Sequence, residues 1–428
     1  MLNLRPPTNL LKRDYKFIMN DIDFGSLSDY SKQIRDIKKA AKRLRNLRPK
    51  VNSSWQEPAD WVVKDSNMHG KPAVTLTITL MPTGCEWAKS GGCTMCGEFE
   101  GSTKGETVPG DFHVAQFASA ISKYAVKYKP AWLRIYQEGN YMNEKEIENS
   151  AQSIILRLSS MLKGIERITI ESMAKYITQA RAAHLKSIID SDVEIEVGMG
   201  FEAQNDIVRN VCVNKGESLR VFRNAVKSLK RSGIRSVAYV LLKPPFLSES
   251  EAIKEAIATI KIANEIGFDA ISLEPVSIHA FTLVHALNIV GCYEVPWLWS
   301  IIEVAKHVRD VSDFRIGGVG FYPRPIGLAE NKDCNRKKDC DEETWNAIRE
   351  YGRYRDLNIF NALECDCKNK WEKVCAESIE TPLKQRIDQQ LNQLNFSKYS
   401  DIINGDRLKR QPVAGHTTAV AGGTQYKE

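Results

Sequence analysis

From residue 74 onward the chain alternates two hydrophobic patterns. Short runs rich in β-branched residues, such as Val74-Thr-Leu-Thr-Ile-Thr-Leu80, keep a period of two and predict strands. Strands are expected at 74–80, 131–136, 167–172, 193–199, 235–242 and 269–274. The stretches between them, near 111–128, 144–162, 175–190, 216–232 and 249–266, carry apolar residues at helical spacing. Six β/α units in series imply a parallel sheet with helices outside it. The expected fold class is α/β, a partial (β/α)6 barrel followed by a C-terminal cysteine-containing extension. In such barrels chemistry gathers on the loops leaving the C-terminal ends of the strands.

The flanks read differently. Between Tyr30 and Lys50 stand Lys32, Arg35, Lys38, Lys39, Lys42, Arg43, Arg45 and Arg48, with Ile34, Ile37, Ala41 and Leu44 forming one apolar stripe. This predicts an amphipathic basic helix that either lies along a phosphate backbone or packs on the barrel as a solvated face. Residues 51–72 show little periodicity and read as a connector. Residues 381–410 suggest further amphipathic helix, and the Gly/Thr/Ala-rich tail from Gln411 is expected to be disordered. The expected division is a basic helical extension over 1–72, the barrel over 73–325, and a cysteine-rich metal-binding and helical extension over 326–428.

Composition narrows the class. A chain of 428 residues, 43% apolar, is long enough for a large core, and no run of eighteen apolar residues is present. No signal-peptide pattern opens it, so a cytoplasmic protein without membrane contact is expected. Ten cysteines in such a chain argue for metal rather than disulfides. A net charge of +7 permits a nucleic-acid partner without requiring one.

The cysteines fall in two groups. Cys85, Cys93 and Cys96 sit in a C-x7-C-x2-C spacing on the loop leaving the first strand, among Gly91, Gly92 and Gly97. Three thiolates can hold three irons of a four-iron cluster and leave the fourth open, whereas zinc prefers four ligands. Cys334, Cys340, Cys365 and Cys367 form the second group, with Cys375 as a competing ligand. They read as a structural zinc site or a second iron–sulfur cluster, against the alternative of free buried thiols. Other strand ends carry polar residues: Glu138-Gly139-Asn140, Glu171, Glu202, Lys243 and Glu274. Lys243 reads either as a cation pointing into the barrel mouth, where a substrate carboxylate could meet it, or as a surface lysine beside the loop.

The cysteine loop resembles the cluster loop of radical S-adenosylmethionine (SAM) enzymes, with a longer first gap than the usual C-x3-C-x2-C. That resemblance implies a [4Fe-4S] cluster on Cys85, Cys93 and Cys96 and S-adenosyl-L-methionine on its open iron. It further implies that Met95 packs on the adenine, that Glu138, Gly139 and Asn140 grip the cofactor's amino group, and that Glu171 and Glu202 hold its polar groups. Met173 stands where tRNA-modifying relatives carry an arginine, which leaves Lys175 as the substitute. Taken with Gly91-Gly92-Cys93-Thr94-Met95-Cys96-Gly97, the segments Ile271-Ser272-Leu273-Glu274-Pro275-Val276 and Pro296-Trp297-Leu298-Trp299-Ser300 resemble one archaeal branch, the radical enzymes of archaeosine synthesis (RaSEA). The branch implies a lyase acting on tRNA whose position-15 base, a 7-cyano-7-deazaguanine core, is already joined to lysine. Carbon–nitrogen cleavage then leaves archaeosine, with Lys243 and Glu274 as candidate catalytic residues. The partners implied are tRNA and the lysine-transferring archaeosine synthase subunit. Two other readings stay open: a radical enzyme acting on a different tRNA base or a small molecule, and a non-enzymatic metal-binding RNA-binding protein.

Overall fold

The computed structural model describes residues 22–48, 60–97, 106–317, 325–377 and 379–409. The tail from Gln411 lies outside them. One sheet organises the molecule, its eight strands adjacent in chain order from β1 to β8. The strands are β1 (Asp60–Met68), β2 (Lys71–Thr79), β3 (Trp132–Tyr136), β4 (Arg167–Glu171), β5 (Glu194–Glu202), β6 (Arg235–Leu242), β7 (Ala270–Pro275) and β8 (Phe314–Ile316). From β2 to β8 every neighbouring pair is parallel. The sheet curls into a half-barrel, and the six expected strands are its middle. β1 corrects the reading of 51–72 as a connector: it pairs antiparallel with β2 from Asp60↔Thr79 to Met68↔Lys71. His69 (φ 53°) and Gly70 (φ 78°) turn the corner, the left-handed pair that a two-residue hairpin requires. β8 is a second strand beyond the expected six.

Helices cover the outside. In chain order they are α1 (Ser31–Asn46), α2 (Gly110–Ala120), α3 (Val126–Tyr128), α4 (Asn149–Ser160), α5 (Gln179–Ser187), α6 (Leu219–Arg231), α7 (Glu249–Ile266), α8 (Leu283–Ile289), α9 (Leu298–His307), α10 (Lys337–Tyr354), α11 (Cys367–Ala376), α12 (Leu383–Asn392) and α13 (Phe396–Lys409). α2 and α3 are one rod joined through a wide π turn over Ile121–Ala125, which is why the pattern read as a single helix. Ser248 and Glu251 form a capping box that starts α7, and Gly267, at φ 93°, ends it. Strand side chains such as Leu76, Ile78, Leu133, Ile135, Ile170, Val197 and Leu273 are fully buried. Full burial of each aliphatic side chain contributes about 1.5–3 kcal/mol.

The closed end of the half-barrel is a charged floor. The Trp132 ring lies 4.2 Å from the Arg134 guanidinium and 4.8 Å from those of Arg167 and Arg315. Glu196, fully buried, accepts two bonds of 2.8 Å from Arg315. Burial alone would raise its carboxyl, but Arg315, Arg167 and Arg134 reverse that and hold it at about 2. Glu196 and Arg315 are paired in this floor, while the Arg134 Nε is buried without a hydrogen-bond partner.

Candidate functional site

β2 delivers the chain to the rim, where residues 80–97 form the cysteine loop. The loop is clamped from outside by α1. The Arg45 guanidinium, buried at 5% exposure, donates to the backbone carbonyls of Gly91 (2.7 Å), Cys93 (2.7 Å) and Cys96 (2.9 Å). Asn214 donates to the Gly92 carbonyl at 2.7 Å, and the Thr94 hydroxyl donates to Cys212 O at 2.7 Å. Gly92 must be glycine: its φ is +66°, and a Cβ there would lie 2.9 Å from Ala88 Cα and 3.2 Å from the Arg45 guanidinium. With the carbonyls turned outward to these donors, the loop is fixed while Cys85, Cys93 and Cys96 stay half-buried. Arg45 and Arg48 are buried, so of the two readings of the basic helix the packed one holds for these side chains, and contact with phosphates is left to the exposed cations. Both fall on the apolar stripe, four residues after Ala41 and Leu44, and that spacing was the available signal.

The neighbouring strand ends are strained in a repeated way. Glu138 after β3 (φ 53°), Glu202 at the end of β5 (φ 63°) and Lys243 after β6 (φ 64°) all sit in the left-handed region that non-glycine residues avoid. Glu138 and Glu202 are buried. Asn140 reaches three elements: its Oδ1 accepts from Met173 N–H at 2.7 Å, and its Nδ2 donates to Glu146 at 2.7 Å and lies 3.7 Å from Cys85 Sγ. Glu146, which the sequence did not single out, is the hub. It also accepts from Glu86 N–H (3.0 Å), Gln137 Nε2 (3.1 Å) and Asn143 Nδ2 (2.8 Å). Gly139 has no room for a side chain, because a Cβ would run into the Glu146 carboxylate.

A second missed residue is Lys215. Its ammonium is buried against Glu202 at 2.9 Å, directly over Gly200. Burial would lower its pKa, and Glu202, with Cys93 and Glu217 behind it, raises it instead. Burial pushes the Cys93 thiol up to about 12, against the pull of Lys215. A thiolate at Cys93 therefore needs a cation directly on it, the role a metal fills. The donor set fits such a group. Three thiols share one clamped loop, and the buried Ser172 Oγ and Gln137 Oε1 beside it have no hydrogen-bond partner.

The remaining expected residues are spread along the rim. Met95 is partly buried against the core. Lys175 is exposed, its backbone N–H bound to Glu217 at 2.9 Å. Its ammonium stands 5.6 Å from the Trp87 ring, with Lys38 of α1 at 5.5 Å from the same ring. Glu171 ends β4 half-buried, and its carbonyl accepts from Tyr141 N–H at 2.8 Å. Glu274 accepts from Ser272 Oγ at 2.6 Å, and its carboxylate fills the space that a Cβ at Gly317 would need. Lys243 does not present an unpaired cation to the mouth. Its ammonium is 2.6 Å from Glu249, itself 3% exposed, because a buried lysine needs a counter-ion.

The second cysteine group is also brought together. The sulfurs of Cys334, Cys340, Cys365 and Cys367 all lie within 4.8 Å of one another. Cys375, eight residues along α11, is buried outside that set.

A curled sheet of parallel strands, with a clamped three-cysteine loop on its first parallel strand and strained polar residues on the strand ends that follow, is the arrangement expected from the sequence resemblance to radical S-adenosylmethionine enzymes. No family model matches the chain. It is 28% identical over 328 residues to archaeosine synthase subunit beta of Methanosarcina acetivorans, covering 77% of this chain and 92% of that one. Against archaeosine synthase subunit beta of Thermococcus kodakarensis it is 28% identical over 316 residues, 73% of this chain and 95% of that one. The similarity runs through most of the length of both proteins. Among solved structures it overlays methylornithine synthase at a TM-score of 0.40 with 10% identity, over 82% of this chain and 93% of that one, a likeness too loose to carry an argument. No helix among the described residues is long and apolar enough to cross a membrane.

Proposed function

We propose that the chain is a radical SAM lyase of archaeosine synthesis, acting on tRNA whose position-15 base carries the lysine-joined 7-cyano-7-deazaguanine core. The carrying observation is the three-cysteine loop locked by Arg45 at the rim of the half-barrel, in a chain that spans nearly the full length of its archaeosine synthase relatives. Cys85, Cys93 and Cys96 would hold a [4Fe-4S] cluster, and Glu138, Gly139, Asn140, Glu171, Lys175, Glu202 and Met95 would line the S-adenosylmethionine site. Bound there, those cofactors would together supply the radical chemistry needed to break a carbon–nitrogen bond of the lysine portion. The protein's own part is placement. Glu146 fixes Asn140 and the start of the cysteine loop, and the buried Lys215–Glu202 pair lies near Cys93. Glu274 stands on the rim as the candidate group facing substrate, and Lys243 braces the end of β6.

The tRNA reading draws on two exposed surfaces. α1 shows Arg35, Lys38, Lys39 and Lys42 to solvent. α6 shows Arg220, Arg223, Lys227, Lys230 and Arg231, with no carboxylate from Ser218 to Arg235. Such one-signed faces suit a phosphate backbone, and a base inside folded RNA must be exposed before any enzyme reaches it. The partner would be the lysine-transferring subunit, and the region from 326 on a separate metal-binding extension. The test is anaerobic. The chain, incubated with S-adenosylmethionine and lysine-adduct tRNA, should release 5′-deoxyadenosine and convert the adduct to archaeosine. Release of deoxyadenosine with the adduct intact would point to another substrate, and no release would end the radical reading.

A further inference from the structure

The second cysteine group sits behind the rim, where α10 and α11 pack on α9. Its spacing, C-x5-C and then C-x-C after a helix, fits no common zinc pattern, so the geometry has to decide what it holds. Cys334 and Cys365 stand with their sulfurs 3.4 Å apart, and Cys340 and Cys367 with theirs 3.7 Å apart. Four sulfurs placed tetrahedrally at about 2.3 Å from one ion are separated by about 3.8 Å. A four-iron cluster has a ligand on each of its corners, and those ligands must stand farther apart than sulfurs that share a single ion. With all four sulfurs within 4.8 Å, there is room for one ion and not for a cluster.

The surroundings favour thiolates. Cys340 lies in the first turn of α10 and Cys367 opens α11, where helix N-termini favour negative charge. The indole N–H of Trp299 donates to Cys367 Sγ at 3.2 Å, and Asn331 Nδ2 donates to Cys340 Sγ at 3.3 Å. Bonds of this kind orient metal ligands and spread the charge of four sulfurs on a divalent ion.

The same helix carries a second connection. Trp371, one turn along α11 from Cys367, donates its indole N–H to Ser300 Oγ at 2.8 Å. Ser300 donates to Glu249 at 2.6 Å, Trp297 N–H donates to the same oxygen at 3.0 Å, and the other carboxylate oxygen pairs with Lys243 at 2.6 Å. A continuous path of buried polar contacts thus runs from α11 to the strained residue that ends β6.

We propose that Cys334, Cys340, Cys365 and Cys367 hold one tetrahedral divalent ion of the zinc class, and that this ion fixes α11 so that Trp371, Ser300 and Glu249 brace Lys243 at the barrel rim. The ion is structural and closed to solvent ligands. Its role is independent of which substrate the rim accepts.

Metal analysis of the anaerobically purified full chain should find one zinc per chain, and the same zinc in the variant with Cys85, Cys93 and Cys96 changed to alanine. Cys340→Ala and Cys367→Ala should each lose it, and Cys375→Ala should keep it. Should the single variants not fold, cobalt(II) added to the chelator-treated wild-type chain should give the intense visible bands of a tetrahedral thiolate site. Acid-labile sulfide retained in the variant without the first three cysteines, zinc retained in Cys367→Ala, or weak octahedral cobalt bands would each overturn the site. The brace is read by hydrogen exchange. Removing the metal should speed exchange of backbone amides in 241–249 about tenfold or more, alongside those of α11. Faster exchange in 334–376 with 241–249 unchanged would refute the brace while leaving the ion in place.

Discussion

The two cysteine groups use the same side chain for opposite ends. Cys334, Cys340, Cys365 and Cys367 converge within 4.8 Å of one another, two of them buried, and come from two separate segments. Cys85, Cys93 and Cys96 ride on one loop, half-buried, and no single-ion set among the described residues includes them. With one ion bound as proposed, the first arrangement would complete its own coordination and have nothing left to offer a ligand. The second is held by its backbone, through Arg45 and Asn214, so the sulfurs remain available. Closing a site adds stability, and leaving one open keeps a place for chemistry.

That contrast can be broken by measurement, starting where the effect is largest. Replacing Cys334 and Cys365 together by alanine should cost several kcal/mol and lower the midpoint of urea unfolding, since structural zinc supplies roughly ten kcal/mol or more at pH 7. An unchanged midpoint would make the closed group a bystander. Arg45→Leu should come next. Three carbonyls lose a buried charged donor, at roughly 1–3 kcal/mol each before relaxation, so about 3 kcal/mol overall is expected. Iron incorporation should fall with it while zinc stays. Normal iron loading in Arg45→Leu would show that the loop holds its shape without the clamp.

Cys93→Ala should cost only about 1 kcal/mol in unfolding, yet abolish the change in visible spectrum on adding S-adenosylmethionine. If it instead destabilises the chain as much as the C-terminal pair does, the two groups are not different in kind. The smallest stability change belongs to the exposed cations. Lys38, Lys39 and Lys42 changed to glutamine should leave unfolding within about 0.5 kcal/mol, while tRNA affinity drops and its slope against salt flattens. A steep slope retained in that variant and in one lacking the α6 cations would remove both faces from the RNA interface.

Much of this was legible in the sequence, and the misses have reasons. The six central strands announce themselves because β-branched runs bounded by turns have few other solutions. β1 did not, since Asp60-Trp-Val-Val-Lys-Asp-Ser-Asn-Met68 alternates poorly and owes its strand to pairing with β2 across the His69-Gly70 turn. β8, three residues long, carries too little pattern to be read. Both cysteine groups were visible as groups, because thiols are rare and their chemistry narrow. Distances between segments are not written in a sequence, so the choice between one ion and a cluster waited for the fold. Glu146 and Lys215 were invisible for the same reason: each is an ordinary charged residue until three or four segments converge on it. Lys243 was recognised as a rim residue, but its counter-ion Glu249 comes from the next helix and changes what the lysine can offer.

The Arg45 clamp has a consequence for how the protein is made. The ribosome releases α1 well before the loop from Gly91 to Cys96, so the arginine is waiting when the cysteines emerge. Docking α1 restricts the loop's freedom before any iron or sulfide arrives, and the assembly machinery would then deliver its cargo to a receptacle already shaped. A chain shortened to begin at the first strand would keep every thiol and lose that preparation. Its cysteines would have to find one another by diffusion, with oxygen competing for them all the while.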